Sequence, residues 1–233
     1  MQPVKSLLAY FSFSERLLWS CSVLFILVSF WLFGGQGWLT LTASLIGATS
    51  LLFIAKGNPV GQLLTVVFSL LYGYISLTFR YYGEMITYLG MTAPMAVAAL
   101  VSWLRHPYKG DRAQVQVNRL AAKEPGLLAL LTAAVTGVFY FILAAFGTAN
   151  LLPSTLSVAT SFAAVYLTCR RSPWYALAYA ANDVILIILW AMATREDSSY
   201  VSVLVCFIMF FFNDLYGFAN WSRMQRRQQR IPA

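Results

Sequence analysis

Residues 80–95 read Arg80-Tyr81-Tyr82-Gly83-Glu84-Met85-Ile86-Thr87-Tyr88-Leu89-Gly90-Met91-Thr92-Ala93-Pro94-Met95, and they join two long apolar segments. Charge, aromatic rings, hydroxyls and a helix-interior proline crowd together where lipid-facing sequence would carry Leu, Val and Ala. In an otherwise apolar chain, such a stretch points to a polar or cationic small molecule handled within a membrane.

The surrounding sequence supports that setting. The chain has 233 residues, 60% of them hydrophobic and 10% charged, whereas a soluble domain carries about 25% charged residues. The apolar residues fall in blocks long enough to cross a bilayer. Eight spans are predicted, over 17–33, 38–55, 60–80, 85–104, 125–147, 151–169, 173–194 and 200–222, giving an all-α integral membrane protein. No soluble domain fits in the remainder. The first span follows basic residues as a signal peptide would, but it lacks a small-x-small cleavage site and is read as a helix.

A net charge of +8 could suggest nucleic acid, but its distribution argues for a membrane. With eight spans, the two termini and the loops after spans two, four and six share one side. That side holds fourteen of the 16 Lys and Arg residues, and the other holds only Arg80 and Arg195. This bias places both termini in the cytoplasm. The basic run from Arg223 to Arg230 reads as a topology anchor that can touch anionic lipid. The bilayer is the partner this composition demands, nucleic acid is not, and a homo-oligomer is compatible with it. Cys21, Cys169 and Cys206 fall in spans, are odd in number and match no metal spacing, so they read as small packing residues.

An internal repeat is visible. Ala48-Thr49-Ser50 recurs as Ala159-Thr160-Ser161, Asn58-Pro59 as Ser172-Pro173, and Trp103-Leu104-Arg105 as Trp221-Ser222-Arg223. The offsets are 111, 114 and 118 residues, in the same order along both halves. Spans two to four therefore pair with spans six to eight. An offset of four spans is even, so the halves point the same way. The expected organisation is an N-terminal helix outside the repeat (1–37), a first three-helix bundle (38–105), a cytoplasmic loop with a linker helix (106–150), and a second bundle with a basic tail (151–233). Prolines suit the first turns of spans three and seven, and Trp103 and Trp221 read as an interfacial aromatic belt.

Polar residues line up inside several spans. Gln62, Thr65, Ser69, Tyr72 and Ser76 follow helical spacing in span three. Tyr88, Thr92 and Met95 share a face of span four, where Pro94 is expected to kink the helix. Tyr179, Asp183 and Trp190 share a face of span seven beside Asn182. Asn213, Tyr216, Gly217 and Asn220 share one in span eight beside Asp214. A buried Asp costs about 2.5–3.5 kcal/mol at the centre of a span, so these faces turn toward the bundle interior. Ser, Thr and Asn there serve either as glue between helices or as ligand contacts. The candidate substrate contacts are Gln62, Ser69, Tyr72, Tyr88, Thr92, Asn182, Asp183, Trp190, Asn213 and Tyr216. Asp214, nearer the cytoplasm, could instead pair with Arg223. Arg80 and Glu84 form either a simple i,i+4 pair or, with Tyr81 and Tyr82, an outer gate.

The sequence carries no P-loop, no dinucleotide fingerprint, no HExxH and no Ser–His–Asp set, and its single histidine, His106, lies in a predicted loop. It reads as neither an enzyme nor an ATP-driven pump. No metal or cofactor is expected.

The run Arg80 to Tyr88, Pro94-Met95, Ser102-Trp103 and Leu215-Tyr216-Gly217-Phe218-Ala219-Asn220-Trp221 resemble the PnuC family of bacterial vitamin transporters. The resemblance covers nearly the whole chain from about residue 38. It departs in span seven, where Leu177 follows Trp174 in place of the second Trp of a W-x-x-W pattern, leaving Tyr179 or Trp190 to substitute. Most members of that family carry nicotinamide riboside, and relatives carry thiamine or riboflavin. The family shares its architecture with the SWEET sugar transporters, in which two parallel three-helix bundles are joined by a linker helix. The resemblance implies facilitated diffusion across the inner membrane, with a cytoplasmic kinase trapping the product. The other readings are transport of a different vitamin, ion-coupled symport, and a membrane receptor that binds without flux.

Overall fold

The computed structural model of the chain describes residues 10–33, 37–78, 82–148 and 150–230. Among them, eight helices are long and apolar enough to cross a membrane. They are α1 Phe13–Leu32, α2 Trp38–Ala55, α3 Pro59–Thr78, α4 Tyr82–Arg105, α5 Glu124–Ala145, α6 Leu151–Cys169, α7 Trp174–Ala193 and α8 Val201–Arg230. Their bounds lie within about one helical turn of the sequence reading, except that α8 runs on through the basic tail. The early start of α1 has a local cause. The Ser12 hydroxyl accepts the Glu15 N–H (3.3 Å), and the Glu15 carboxylate accepts the Ser12 N–H (2.7 Å). This is a capping box, written in sequence as Ser-x-x-Glu. Glu15 also pairs with Lys56 at 3.2 Å, which ties α1 to the turn after α2.

Helices α2, α3 and α4 pack as one group and α6, α7 and α8 as another, and the groups meet where α2 crosses α8 and α4 crosses α6. Helix α1 lies on α2 and α8. Helix α5 lies on α6 and, through Leu143 against Met91 and Met95, on α4. Leu24, Phe25, Leu130 and Phe141 point outward, as a lipid-facing surface requires. Between the halves, Phe68, Tyr72, Tyr88, Trp190, Phe207 and Phe210 form an aromatic core. Close approach of backbones depends on Gly61: a Cβ there would lie 2.6 Å from the Ile54 nitrogen and 2.9 Å from the Ser50 oxygen. Only glycine lets the first turn of α3 rest on the end of α2 in this way.

The predicted kink in α4 takes the form of a π turn at Tyr88–Thr92. The Ala93 N–H bonds to the Tyr88 carbonyl, five residues back. Pro94 has no N–H to offer the next carbonyl, and the widened turn just before it absorbs that gap. The π turn rotates Tyr88 and Thr92 together into the bundle, where both are buried.

At the end of the bundle that bears the chain termini, the halves are cross-bonded in matching positions. Gly57 (φ 69°) and Arg171 (φ 56°) end α2 and α6 in left-handed turns. The next N–H groups, of Asn58 and Ser172, return to the Phe53 and Leu167 carbonyls, each at 3.0 Å, closing two like caps. The Trp103 indole N–H donates to the Thr168 carbonyl (2.9 Å), and the Trp221 indole N–H donates to the Ile54 carbonyl (2.7 Å). Beside them the Ser102 hydroxyl donates to the Cys169 carbonyl (2.9 Å), and the Asn220 amide donates to the Ala55 carbonyl (2.8 Å). Each bond joins the third helix of one half to the first helix of the other. The two tryptophans are 0% exposed with ring centroids 5.2 Å apart, so they do not form the interfacial belt read from sequence. Their indole N–H groups find partners in last-turn carbonyls, of Thr168 and Ile54, that also accept the Arg171 and Gly57 N–H groups, rather than in headgroups.

The linker between the halves is also more ordered than a polar loop. It forms a hairpin, β1 Pro107–Tyr108 and β2 Asp111–Val115, turned by Lys109 and Gly110 at positive φ. The Val115 N–H donates to the Gly57 carbonyl (2.9 Å) and the Asn118 N–H to the Arg171 carbonyl (3.0 Å). The last turns of α8 then clamp the linker: the Gln228 side chain accepts the Val117 N–H (2.8 Å) and donates to the Val115 carbonyl (3.1 Å). The stretch read as a basic anchor is thus a helical strap.

Candidate functional site

The polar faces of α4, α7 and α8 converge on a small cavity of about 60 Å³ between the halves. Thr92 and Tyr88 line it from α4, Asn182 and Asp183 from α7, Asp214 from α8, and Thr65 and Phe68 from α3. Asp183 and Asp214, each 4% exposed, meet there within hydrogen-bonding reach of each other. No spacing along one helix pairs them, and only the packing of α7 on α8 does. Asp214 is therefore not the partner of Arg223 considered from sequence. Two carboxyl groups this close can share a proton. Asp183 Oδ2 has no hydrogen-bond partner among the described residues.

Asn182 is held rigidly beside the pair. Its carbonyl oxygen accepts from Ser157 (3.1 Å), Thr160 (3.0 Å) and Ser161 (3.0 Å) on α6. These three donors were missed in the sequence reading, although their spacing of three, one and four residues places them on one helical face. Aromatic rings close the cavity toward the end remote from the termini. The Tyr72 and Tyr88 ring centroids are 4.5 Å apart, and the Tyr72 ring also stacks on Phe68 at 5.5 Å. Trp190 packs on Tyr200 at 5.4 Å, near the buried Tyr72 hydroxyl, which has no hydrogen-bond partner among the described residues.

Beyond this barrier lies a larger cavity of about 430 Å³, walled by the start of α4, the α5–α6 turn and the end of α7. Tyr82, Glu84, Thr148, Trp190 and Arg195 are among its lining residues. Trp190 therefore belongs to this outer space rather than to the inner cavity.

The remaining candidates separate. Gln62 and Ser69 are buried on α3, and Gln62 Nε2 and the Ser69 hydroxyl lack partners among the described residues, but neither lines the inner cavity. Asn213 donates to the Ser22 hydroxyl (2.9 Å) and the Met209 carbonyl (2.7 Å), so it ties α8 to α1. Tyr216 is half-buried, with Ser12 and Glu15 in reach of its hydroxyl. Both face the first helix and not the cavity, because a 30-residue α8 presents one side to α7 and another to α1. Arg80 and Tyr81 lie outside the described residues. Trp174 is 57% exposed and packs on Phe218 at the surface, whereas Tyr179 lines the inner cavity.

The family described as nicotinamide mononucleotide transporter matches residues 37–223. The chain belongs to that family of membrane transporters. It is 28% identical over 200 residues to the nicotinamide riboside transporter PnuC of Neisseria mucosa, covering 84% of this chain and 76% of the relative. It is 23% identical over 210 residues to the nicotinamide riboside transporter PnuC of Haemophilus influenzae, covering 88% of each. A crystal structure of the vitamin B3 transporter PnuC shares the fold, with a TM-score of 0.81 over 93% of this chain and 94% of its own, at 24% identity.

Proposed function

We propose that this transporter carries nicotinamide riboside across the bacterial cytoplasmic membrane by facilitated diffusion, with both termini in the cytoplasm. The observation that best supports the cation as cargo is the Asp183–Asp214 pair beneath a group of aromatic rings. Two carboxyl groups facing the cavity suit a pyridinium cation. Aromatic faces add about 2 kcal/mol for a desolvated cation. Asn182 and Thr92 are placed to bond ribose or amide, with Gln62 and Ser69 joining as the helices shift.

The inner cavity is smaller than a nucleoside, so Tyr72 and Tyr88 part to admit one. Alternating access then proceeds by rocking the α2–α4 and α6–α8 bundles about the substrate. Tyr82 and Glu84 form the outer rim of this path, and the tryptophan cross-bonds form the inner seal. An inside-negative potential favours the cation inward by about 2.3 kcal/mol per 100 mV, so no coupled ion is required. Phosphorylation by a cytoplasmic kinase removes the product and maintains the gradient.

Calorimetric titration of the purified protein with nicotinamide riboside, thiamine and riboflavin tests the cargo. Nicotinamide riboside is expected to bind tightest and neutral riboflavin weakest. A preference for thiamine or riboflavin reassigns the substrate.

A further inference from the structure

The outer cavity is about seven times the volume of the inner one, and its walls are unlike a passive funnel. Glu84 Oε2 and the Thr148 hydroxyl are both shut off from solvent and have no hydrogen-bond partner among the described residues. Both residues nonetheless line the cavity, and buried polar atoms without partners are costly. Among the described residues, the ionisable groups lining the space are two carboxyl groups, Glu84 and Glu196, and one guanidinium, Arg195. Trp190 presents an indole to the same space while reaching Tyr72 on the other side of the barrier.

We propose that this cavity is a second, outer binding site for a nitrogen-heteroaromatic cation, with Glu84 as its counter-charge and Trp190 as its ring contact. The proposal rests on the transport reading for the identity of the natural ligand. A low-dielectric wall strengthens the attraction of Glu84 for a cation. The charge of Glu196 offsets that of Arg195, so one cation is matched. The cation waits here until the Tyr72–Tyr88 pair opens, then moves to Asp183 and Asp214. The outer rim is thus a capture site in its own right rather than only a gate.

The test uses the pyridinium 1-methylnicotinamide and its uncharged parent, nicotinamide, as probes. Ala193→Cys places a thiol on the cavity wall with little change in volume. Modification of that thiol by a maleimide is followed by mass spectrometry, which resolves it from the native cysteines. Saturating 1-methylnicotinamide is expected to slow modification roughly tenfold, the effect of a tenfold excess over its dissociation constant, and nicotinamide to leave it unchanged. Glu84→Gln removes this protection, Glu84→Asp keeps it, and Asp183→Asn keeps it. Retention by Glu84→Asp separates loss of charge from loss of fold. Equal modification with and without the cation, protection that survives Glu84→Gln, or protection lost in Asp183→Asn overturns the proposal. Protection without nicotinamide riboside flux removes the transport reading and leaves the outer site standing.

Discussion

At the terminal-bearing end, four side-chain hydrogen bonds cross between the halves and two fully buried indoles lie against each other. At the far end the halves face each other across about 430 Å³, with Glu84 Oε2 and the Thr148 hydroxyl unsatisfied. The closed end joins side chains of one half to last-turn carbonyls of the other, so these bonds exist only while the halves are together. The open end instead lines its space with Glu84, Arg195, Glu196 and the rings of Tyr82 and Trp190. Four bonds at about 1 kcal/mol each make the seal worth a few kcal/mol, within the range that substrate binding can reverse.

The largest break in this comparison comes from the carboxyl pair between the two ends. Replacing both Asp183 and Asp214 by Asn removes the charge and leaves the shape. Affinity for nicotinamide riboside is expected to fall about 100-fold, as for loss of a buried charge partner, and calorimetry reads it. Unchanged affinity would remove the pair from the binding account. Next, Gly61→Ala forces backbone apart where α3 meets α2. A loss of about 1–3 kcal/mol is expected for overpacking, seen as a lower melting temperature, and an unchanged melt would show that the contact yields freely.

The seal itself is sharpened by Trp103→Phe and Trp221→Phe. Each keeps an aromatic ring and deletes one indole bond, shifting the balance toward opening at this end by about fivefold per 1 kcal/mol. The native Cys169, whose thiol donates to the Met95 carbonyl at 3.5 Å near that end, reports this as faster maleimide labelling in a Cys21→Ala background. Equal labelling in wild type and variants would place the seal elsewhere. The smallest effect belongs to the strap. Gln228→Ala removes two hydrogen bonds near solvent and is expected to speed the same labelling by about threefold or less.

The eight spans were legible because each carries its own signal of length, hydropathy and flanking charge. So were the kink near Pro94 and the inward turn of Asp183 and Asn182. What the sequence did not reveal lies between segments. Asp183 and Asp214 come together through helix packing, and no periodicity contains that pairing. The Trp103 and Trp221 bonds run to backbone carbonyls, whose availability depends on where α6 and α2 end. The hairpin and the strap were hidden by composition, since charge and Gln in a linker look the same solvated or paired. Asn213 and Tyr216 lie on a face of α8 next to the cavity residue Asp214, but α1 packs on that face.

The central claim is that this chain moves a cationic nucleoside through the space between its halves without another energy source. The direct measurement is counterflow of radiolabelled nicotinamide riboside by purified protein in proteoliposomes, with no ATP and no proton or sodium gradient. The account predicts saturable exchange that persists when ionophores collapse every gradient. Binding without exchange, or exchange that stops with a proton or sodium gradient, would contradict it.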